Sequence, residues 1–340
     1  MESFFRGWSR RAISIPLYAL FAGIVWLGAP AWLLLAVGVD CLRGMPRTLP
    51  ATRTVLVIAV YLLAEVLGVL AAWALWVFTA GGLLISRLGW LRANAALQRA
   101  FTGSLFRALT GIFGMTVRAE GLEHARSGPF LLFVRHASTA DTVLAAALVA
   151  NPFERRLRYV LKRELLWDPC LDIVGQRLPN VFVGREAEAR GPQLERLRRL
   201  AAELGPDEGV LIYPEGARFT SRKYTAALEA LERDGQPKLL AIAKGYRSVL
   251  PPRLAGSLAL LEATRGHDVL FLEHSGFEGA RTFGDFARGA LVGATLHVRL
   301  RRVASGEVPT ANVDRWLFEQ WRETDDWVSA LSSRSRRDTA

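Results

Sequence analysis

The sequence has few of the features that mark cofactor-dependent or disulfide-stabilised proteins. Only two of its 340 residues are cysteines, Cys41 and Cys170, and they form no metal-binding or redox pattern. The sequence contains no Walker loop, no dinucleotide-binding glycine loop, no His-Glu-x-x-His and no Gly-x-Ser-x-Gly elbow. We therefore expect no bound metal, no cofactor and no nucleophilic serine of the elbow type.

Long hydrophobic runs are present near the N-terminus. Residues 13–39 carry no charged side chain, and residues 54–85 carry only Glu65. Each run exceeds the roughly 20 residues that a helix needs to cross a bilayer. We predict a transmembrane hairpin over residues 1–87, with spans at about 13–39 and 54–85, in preference to two buried helices of a soluble domain. Glu65 is expected to be a tolerated carboxyl that faces inward.

Arginines around the two spans predict the orientation of the hairpin. They are Arg6, Arg10 and Arg11 before the first span, Arg43, Arg47 and Arg53 in the loop, and Arg87, Arg92, Arg99 and Arg107 after the second. The outer two groups outnumber the loop group, so the positive-inside rule places the rest of the chain in the cytoplasm. We expect an integral membrane protein of the bacterial inner-membrane type.

The remaining chain predicts one α/β domain over residues 88–331, followed by a disordered tail at 332–340. Its sheet should be mixed, mainly parallel and flanked by helices. An amphipathic helix at 88–113 leads into the domain, and a charged helix at 192–204 lies within it. Short apolar runs predict strands at 130–134, 159–161, 181–183, 209–212, 268–273 and 294–303.

A histidine and an aspartate with four residues between them follow the strand at 130–134. Inside one helix, His136 and Asp141 would point about 140° apart, because each residue turns about 100°. They can meet only if His136 lies in the loop and Asp141 in the first turn of a helix over about 140–150, capped by Ser138 or Thr139. Asp141 would then fix the imidazole tautomer, leaving the other nitrogen free as a general base. The alternative is a loop histidine bonded to a capping aspartate for structural reasons alone.

Two further strand ends carry basic residues beside a turn. The strand at 181–183 is followed by Gly184-Arg185, and the strand at 209–212 by Tyr213-Pro214-Glu215-Gly216-Ala217-Arg218. Turn amides with an arginine can bind an anion, and ligands bind at the carboxyl ends of strands in open α/β sheets. A turn with a solvated arginine is the plainer interpretation of each segment by itself.

Together these motifs resemble the glycerolipid acyltransferases of the lysophosphatidate acyltransferase (PlsC-like) superfamily, whose first motif is His-x4-Asp. The segment 213–218 resembles the family's Phe-Pro-Glu-Gly-Thr-Arg block, 181–185 resembles its arginine-ending second block, and 250–253 resembles its proline-containing fourth block. The run 211–256 and the closing segment 316–331 are most similar to the branch of lysocardiolipin and related lysophospholipid acyltransferases. Arg135 stands where this branch usually has asparagine, and Ala217 where it has threonine.

The resemblance implies acyl transfer from a thioester to the hydroxyl of a lysophospholipid such as 1-acyl-glycerol-3-phosphate. His136 would be the general base, oriented by Asp141, while Arg185 and Arg218 would bind the acceptor phosphate. Glu215 and Gly216 would shape the acceptor site, and backbone amides would support the oxyanion. The donor is expected to be acyl-CoA or an acyl carrier protein.

Two other functions remain open at this point. One is the same chemistry on another lipid acceptor, and the other is a catalytically silent lipid-binding protein of this fold. The net charge of +11 suits anionic lipids and coenzyme A, although arginine-rich composition by itself would also produce it. A nucleic-acid partner is not expected, because the sequence has apolar spans and no recognisable nucleic-acid-binding module.

Overall fold

The computed structural model describes the backbone of residues 4–184 and 190–337. The chain divides into two compact units that interleave along the sequence. The first comprises Met1–Thr116, Leu161–Arg185 and Thr282–Ala294, and the second comprises Val117–Val160, Glu186–Arg281 and Thr295–Ala340. The proposed boundary between residues 87 and 88 remains a prediction.

In the described part of the chain, the sheet has seven strands in the order β1-β7-β6-β2-β5-β3-β4. They are β1 Thr116–Glu120, β2 Phe130–Val134, β3 Arg156–Lys162, β4 Val181–Val183, β5 Glu208–Ile212, β6 Asp268–Ser275 and β7 Thr295–Val303. Strand β2 pairs in parallel with β5 and β6, β5 pairs in parallel with β3, and β7 is antiparallel to β6. The predicted mixed, mainly parallel sheet is confirmed.

The central strand β2 is buried along its whole length, which explains why its sequence is an unbroken apolar run. Its register pairs Phe133 with Ile212 of β5 and Val134 with Leu272 of β6. Because all three strands run in the same direction, their carboxyl ends lie at one edge of the sheet. The loops that follow these strands therefore meet there.

Among the residues that the structure describes, six α-helices belong to the first unit. They are α1 Phe4–Leu27, α2 Ala29–Leu42, α3 Pro50–Phe78, α4 Arg87–Phe113, α5 Pro169–Arg177 and α10 Phe283–Phe286. Within the described residues, Gly7–Leu27 and Pro50–Phe78 are long and apolar enough to cross a membrane. The segment predicted as a span at 13–39 is divided at Gly28, and Pro30, which has no N–H to donate, lies in the first turn of the second helix. Helix α3 stops at Phe78, before Gly81 and Gly82 with positive φ.

Glu65 of α3 is fully buried, as expected of an inward-facing carboxyl. Its Oε2 accepts the backbone N–H of Cys170 at 3.0 Å, at the start of α5. One turn earlier on α3, Tyr61 donates its hydroxyl to Asp168 at 2.9 Å. Asp168 is itself the N-cap of α5. These hydrogen bonds connect α3 to the start of α5 within the first unit. They give Glu65 and Tyr61, two polar residues of an apolar helix, structural partners.

The helices of the second unit are α6 Arg190–Ala201, α7 Ser221–Arg233, α8 Pro237–Ala243, α9 Leu254–Ala263 and α11 Val313–Arg337. Helix α11 continues past residue 331, where the sequence predicts a disordered tail. The hydroxyls of Ser332 and Ser333 donate to carbonyls four residues earlier, which satisfies backbone groups in these last turns. Residues 338–340 lie outside the described part of the chain.

Candidate active site

The His136–Asp141 pair lies at the carboxyl end of β2. The Nδ1 atom of His136 is 2.9 Å from Oδ1 of Asp141. His136 is in the loop, and Asp141 is in the first turn of a 3₁₀ segment, Ala140–Val143, so the arrangement required by their spacing is confirmed. The predicted helix at 140–150 is not a regular α-helix, because the 3₁₀ segment is followed by a π-helical turn at Ala145–Ala150.

Asp141 is held rigidly by the loop that it helps to form. Its Oδ2 accepts the backbone N–H groups of Ala137 at 2.6 Å and Ser138 at 2.7 Å. The Asp141 side chain is completely buried, whereas 16% of the His136 side chain is exposed. A carboxylate that only accepts leaves the proton of neutral His136 on Nδ1. Among the described residues, none hydrogen-bonds to Nε2, so this nitrogen keeps its lone pair available to accept a proton.

The protonation state of Asp141 follows from its surroundings. Burial raises the pKa of Asp141, but hydrogen bonds and charge from His136 and His274 outweigh it and hold the pKa well below its usual range. Asp141 is therefore ionised across the physiological pH range. An ionised, buried acceptor orients His136 and would stabilise a positive charge on its imidazole ring.

Glu215, in the loop after β5, contacts the loop that carries His136. Its Oε1 accepts the N–H of His136 and its Oε2 accepts the N–H of Leu250, both at 2.9 Å. Burial raises the pKa of Glu215 to about 7, against the lowering effects of Arg135 and the two backbone N–H groups. Glu215 is only 2% exposed, and it contacts the backbone of His136. Its contact with substrate remains a prediction.

Gly216 and Arg218 follow in the same turn. Gly216 has a φ of +63°, a conformation that glycine adopts without strain, and its N–H donates to the carbonyl of Tyr213. The guanidinium of Arg253 lies so close that a β-carbon at Gly216 would be 2.7 Å from Nε. Arg218 donates a hydrogen bond to the carbonyl of Arg281. The other predicted phosphate ligand, Arg185, lies outside the described residues.

His274, at the end of β6, is a site residue that the sequence does not reveal. It is fully buried, and its Nε2 is 3.0 Å from the carbonyl oxygen of Arg135 and 3.5 Å from Oδ2 of Asp141. The Arg135 guanidinium donates in return to the carbonyl of His274. Each side chain thus hydrogen-bonds to the other residue's backbone carbonyl, next to the His136–Asp141 pair. No aspartate follows His274 at the offset found after His136, so only the pairing of β6 with β2 could identify it.

Arg135 replaces the asparagine of the resembling family and has its own partners here. Its Nη1 is 2.7 Å from Oε1 of Glu278, and its Nη2 donates to the carbonyl of Ser248 at 3.0 Å. Burial raises the pKa of Glu278, but Arg135 and the N–H of Gly276 outweigh it and lower the pKa to about 2. A buried guanidinium is tolerated because an ionised carboxylate and two carbonyls surround it.

The arrangement at this edge of the sheet supports proton transfer to and from a substrate hydroxyl. The base is oriented, its partner is ionised, and the ring of Tyr213 packs against His136 with centroids 5.1 Å apart. Within residues 4–184 and 190–337, no group of three or more His, Cys, Asp or Glu side chains is placed to hold a metal ion.

Part of this chain is similar to a known protein family. Residues 116–250 match the family described as Acyltransferase. This segment includes His136, Asp141, Glu215, Gly216 and Arg218. No curated protein matches the sequence. Among solved structures, the 1-acyl-sn-glycerophosphate (LPA) acyltransferase PlsC from Thermotoga maritima is similar with a TM-score of 0.45 and 17% identity, over 80% of this chain and 98% of that one.

Proposed function

We propose that this chain, which carries an acyltransferase-family segment at residues 116–250, is a membrane-bound O-acyltransferase. It transfers a fatty acyl group from a thioester to the free hydroxyl of a lysophospholipid such as 1-acyl-glycerol-3-phosphate. The observation that carries the proposal is the 2.9 Å contact between His136 and an ionised, fully buried Asp141. That pair activates a hydroxyl, and the sequence has no Gly-x-Ser-x-Gly nucleophile that would itself carry the acyl group.

The reaction begins when Nε2 of His136 removes the proton of the acceptor hydroxyl. The hydroxyl oxygen attacks the thioester carbonyl, forming a C–O bond and a tetrahedral oxyanion. Collapse of this intermediate breaks the C–S bond, and the imidazolium returns its proton to the departing thiolate. Asp141 stabilises the imidazolium throughout, so the cycle ends with His136 neutral and ready for another acceptor.

Arginines supply the binding of the acceptor phosphate in this proposal. Arg218 follows two residues after Gly216, in the turn whose carboxylate, Glu215, bonds to the backbone of His136. Guanidinium groups bind phosphate through paired N–H donors, which suits Arg218 and Arg185 to this role. Glu215 and Gly216 contribute by shaping the turn against the catalytic loop.

The apolar helices of the first unit support the proposal that the protein is bound to a membrane. Two described helices, Gly7–Leu27 and Pro50–Phe78, have the length and apolarity of spans. Arginines flank them as the positive-inside rule requires for a cytoplasmic catalytic domain. A lysophospholipid acceptor and a fatty acyl product both partition into the bilayer, so anchoring brings the enzyme to its substrates.

The proposal is tested with membranes that contain the protein, labelled palmitoyl-CoA and a panel of lysophospholipids. His136→Ala is expected to abolish product formation, whereas His267→Ala, at a site distant in sequence from these motifs, should retain it. Membrane content and thermal unfolding of both variants must match the unsubstituted protein for the comparison to count. An active His136→Ala variant would refute the mechanism, and a wild-type protein that transfers to none of the acceptors would refute the proposed substrate class.

A further inference from the structure

Positive charge is left uncompensated beside the candidate active site. Elsewhere in the second unit, arginines contact carboxylates, such as Arg156 with Asp207 at 2.9 Å and Arg302 with Asp268. In the described part of the chain, no carboxylate lies within ion-pair distance of four basic residues near the turn after β5. These residues are Arg218, Arg222, Lys223 and Arg253.

The four side chains converge with Arg281 into what we name the basic cluster. The Nζ atom of Lys223 donates to the carbonyl of Arg218 at 3.3 Å, and Arg218 donates to the carbonyl of Arg281. Burial and then the charges of all four arginines lower the pKa of Lys223. Like charges near one another repel, and a bound anion would relieve that repulsion.

Local backbone structure keeps the basic cluster next to the catalytic base. The N–H of Arg253 donates to the carbonyl of Pro214 at 2.9 Å, which joins the loop before α9 to the turn after β5. The Arg253 side chain then crosses Gly216, where the missing β-carbon leaves room for its guanidinium. Glu215, the preceding residue, accepts the N–H of His136. The cluster is therefore built into the same turn that supports His136.

We propose that Arg253 and Lys223 extend the anion site of Arg218 into a subsite for a phosphate-rich group. This inference rests on the proposed acyl transfer, and it adds Arg253 and Lys223 to the residues that bind its substrates. One arginine can bind a single phosphate with two hydrogen bonds, so the cluster has more donors and more charge than one phosphate requires. The nucleotide end of an acyl-CoA donor, with its diphosphate and 3′-phosphate, has this chemistry. A phosphorylated acceptor headgroup is the other source of the same chemistry.

Kinetics on the full-length protein in membranes distinguish the two sources. The variants are Arg253→Gln and Lys223→Gln, with Arg265→Gln and Lys238→Gln as matched controls on exposed positions of the second unit. Arg253→Lys retains the charge and should recover part of the loss. KM is measured for palmitoyl-CoA, for palmitoyl-pantetheine, which lacks the nucleotide phosphates, and for lysophosphatidate.

If the donor is the source, each cluster variant raises KM for palmitoyl-CoA about tenfold, as expected for one lost charge-assisted hydrogen bond, and leaves kcat nearly unchanged. The KM for palmitoyl-pantetheine should not move. A rise confined to lysophosphatidate would support the subsite and assign it to the acceptor. KM values that match those of the controls for every substrate would overturn the inference, even if binding to phosphatidylglycerol vesicles weakened, because the cluster would then be a membrane contact.

A binding measurement separates failure of this inference from failure of the proposed function. Free coenzyme A is titrated calorimetrically into the detergent-solubilised protein and into Arg253→Gln. If the wild-type protein binds coenzyme A but transfers no acyl group, and Arg253→Gln loses this binding, the proposed reaction is refuted and the subsite is upheld. If the wild-type protein transfers acyl groups, and Arg253→Gln binds coenzyme A as tightly as the wild type, the reaction is upheld and the assignment of the subsite to the donor is refuted.

Discussion

Asp141→Asn is the substitution for which the structure makes the sharpest prediction. The side chain keeps its size, so only the charge and one acceptor are lost. Oδ2 of Asp141 accepts two backbone N–H groups, from Ala137 and Ser138, and Oδ1 accepts one bond from His136. The asparagine oxygen should occupy the Oδ2 position, because an NH₂ group there would leave two buried donors unpaired, at about 1–3 kcal/mol each.

That orientation points the asparagine NH₂ group at Nδ1 of His136. Nδ1 must then accept, which moves the imidazole proton to Nε2 and removes the lone pair that takes the substrate proton. In a histidine–aspartate pair, the wrong tautomer costs on the order of 10⁴ in kcat. This corresponds to about 5.5 kcal/mol of activation free energy at 1.36 kcal/mol for each factor of ten. We expect a loss of this order.

The assay is steady-state acyl transfer from palmitoyl-CoA to lysophosphatidate in membranes, with KM and kcat separated. The loss should appear in kcat, since Asp141 is buried and does not contact substrate. Asp234→Asn, at the exposed C-cap of α7, is the matched control and should behave as wild type. Thermal unfolding excludes misfolding as the cause. A kcat within tenfold of wild type would refute the view that Asp141 selects the tautomer of His136.

Two further substitutions test how the site is supported. Gly216→Ala should lower the unfolding free energy by about 1–2 kcal/mol, because alanine is strained at a φ of +63°. It should also displace Arg253 and raise KM, and an unchanged unfolding midpoint in urea would contradict this. Arg135→Asn and His274→Gln should be non-additive in the unfolding free energy by about 0.5–3 kcal/mol, since each side chain bonds to the other's carbonyl. Strict additivity in a double-mutant cycle would show that the two bonds act independently.

Local patterns in the sequence were sufficient for the elements that surround the site. The apolar run at 130–134 corresponds to strand β2 with the same bounds, and the amphipathic stretch at 88–113 corresponds to α4 within one residue. Helix geometry supplied the condition under which His136 and Asp141 can meet, because residues at that spacing point apart within one helix. Such features depend on a few adjacent residues, so the sequence contains all the information needed.

Features that depend on distant segments were not accessible in this way. The break at Gly28 was missed because hydropathy measures apolarity and carries no information on where one apolar helix ends and the next begins. The π-helical turn at 145–150 was missed because an alanine-rich segment suits several helical forms. The hydrogen bonds from both oxygens of Glu215 to the backbone N–H groups of residues 136 and 250 could not be predicted from local sequence, and its role in shaping the acceptor site stays a prediction.

The sequence by itself identified the residues on which the proposed chemistry depends: a histidine–aspartate pair, a glutamate–glycine turn followed by arginine, and apolar segments of membrane-spanning length. Only the tertiary structure decided what supports that chemistry. His274 reaches Arg135 and Asp141 because parallel pairing brings the ends of β6 and β2 to one edge of the sheet, across about 140 residues of sequence. The basic cluster likewise forms because Arg253 is bonded to the turn after β5. Long-range pairing of strands is set by the packing of the whole domain, which no local spacing encodes.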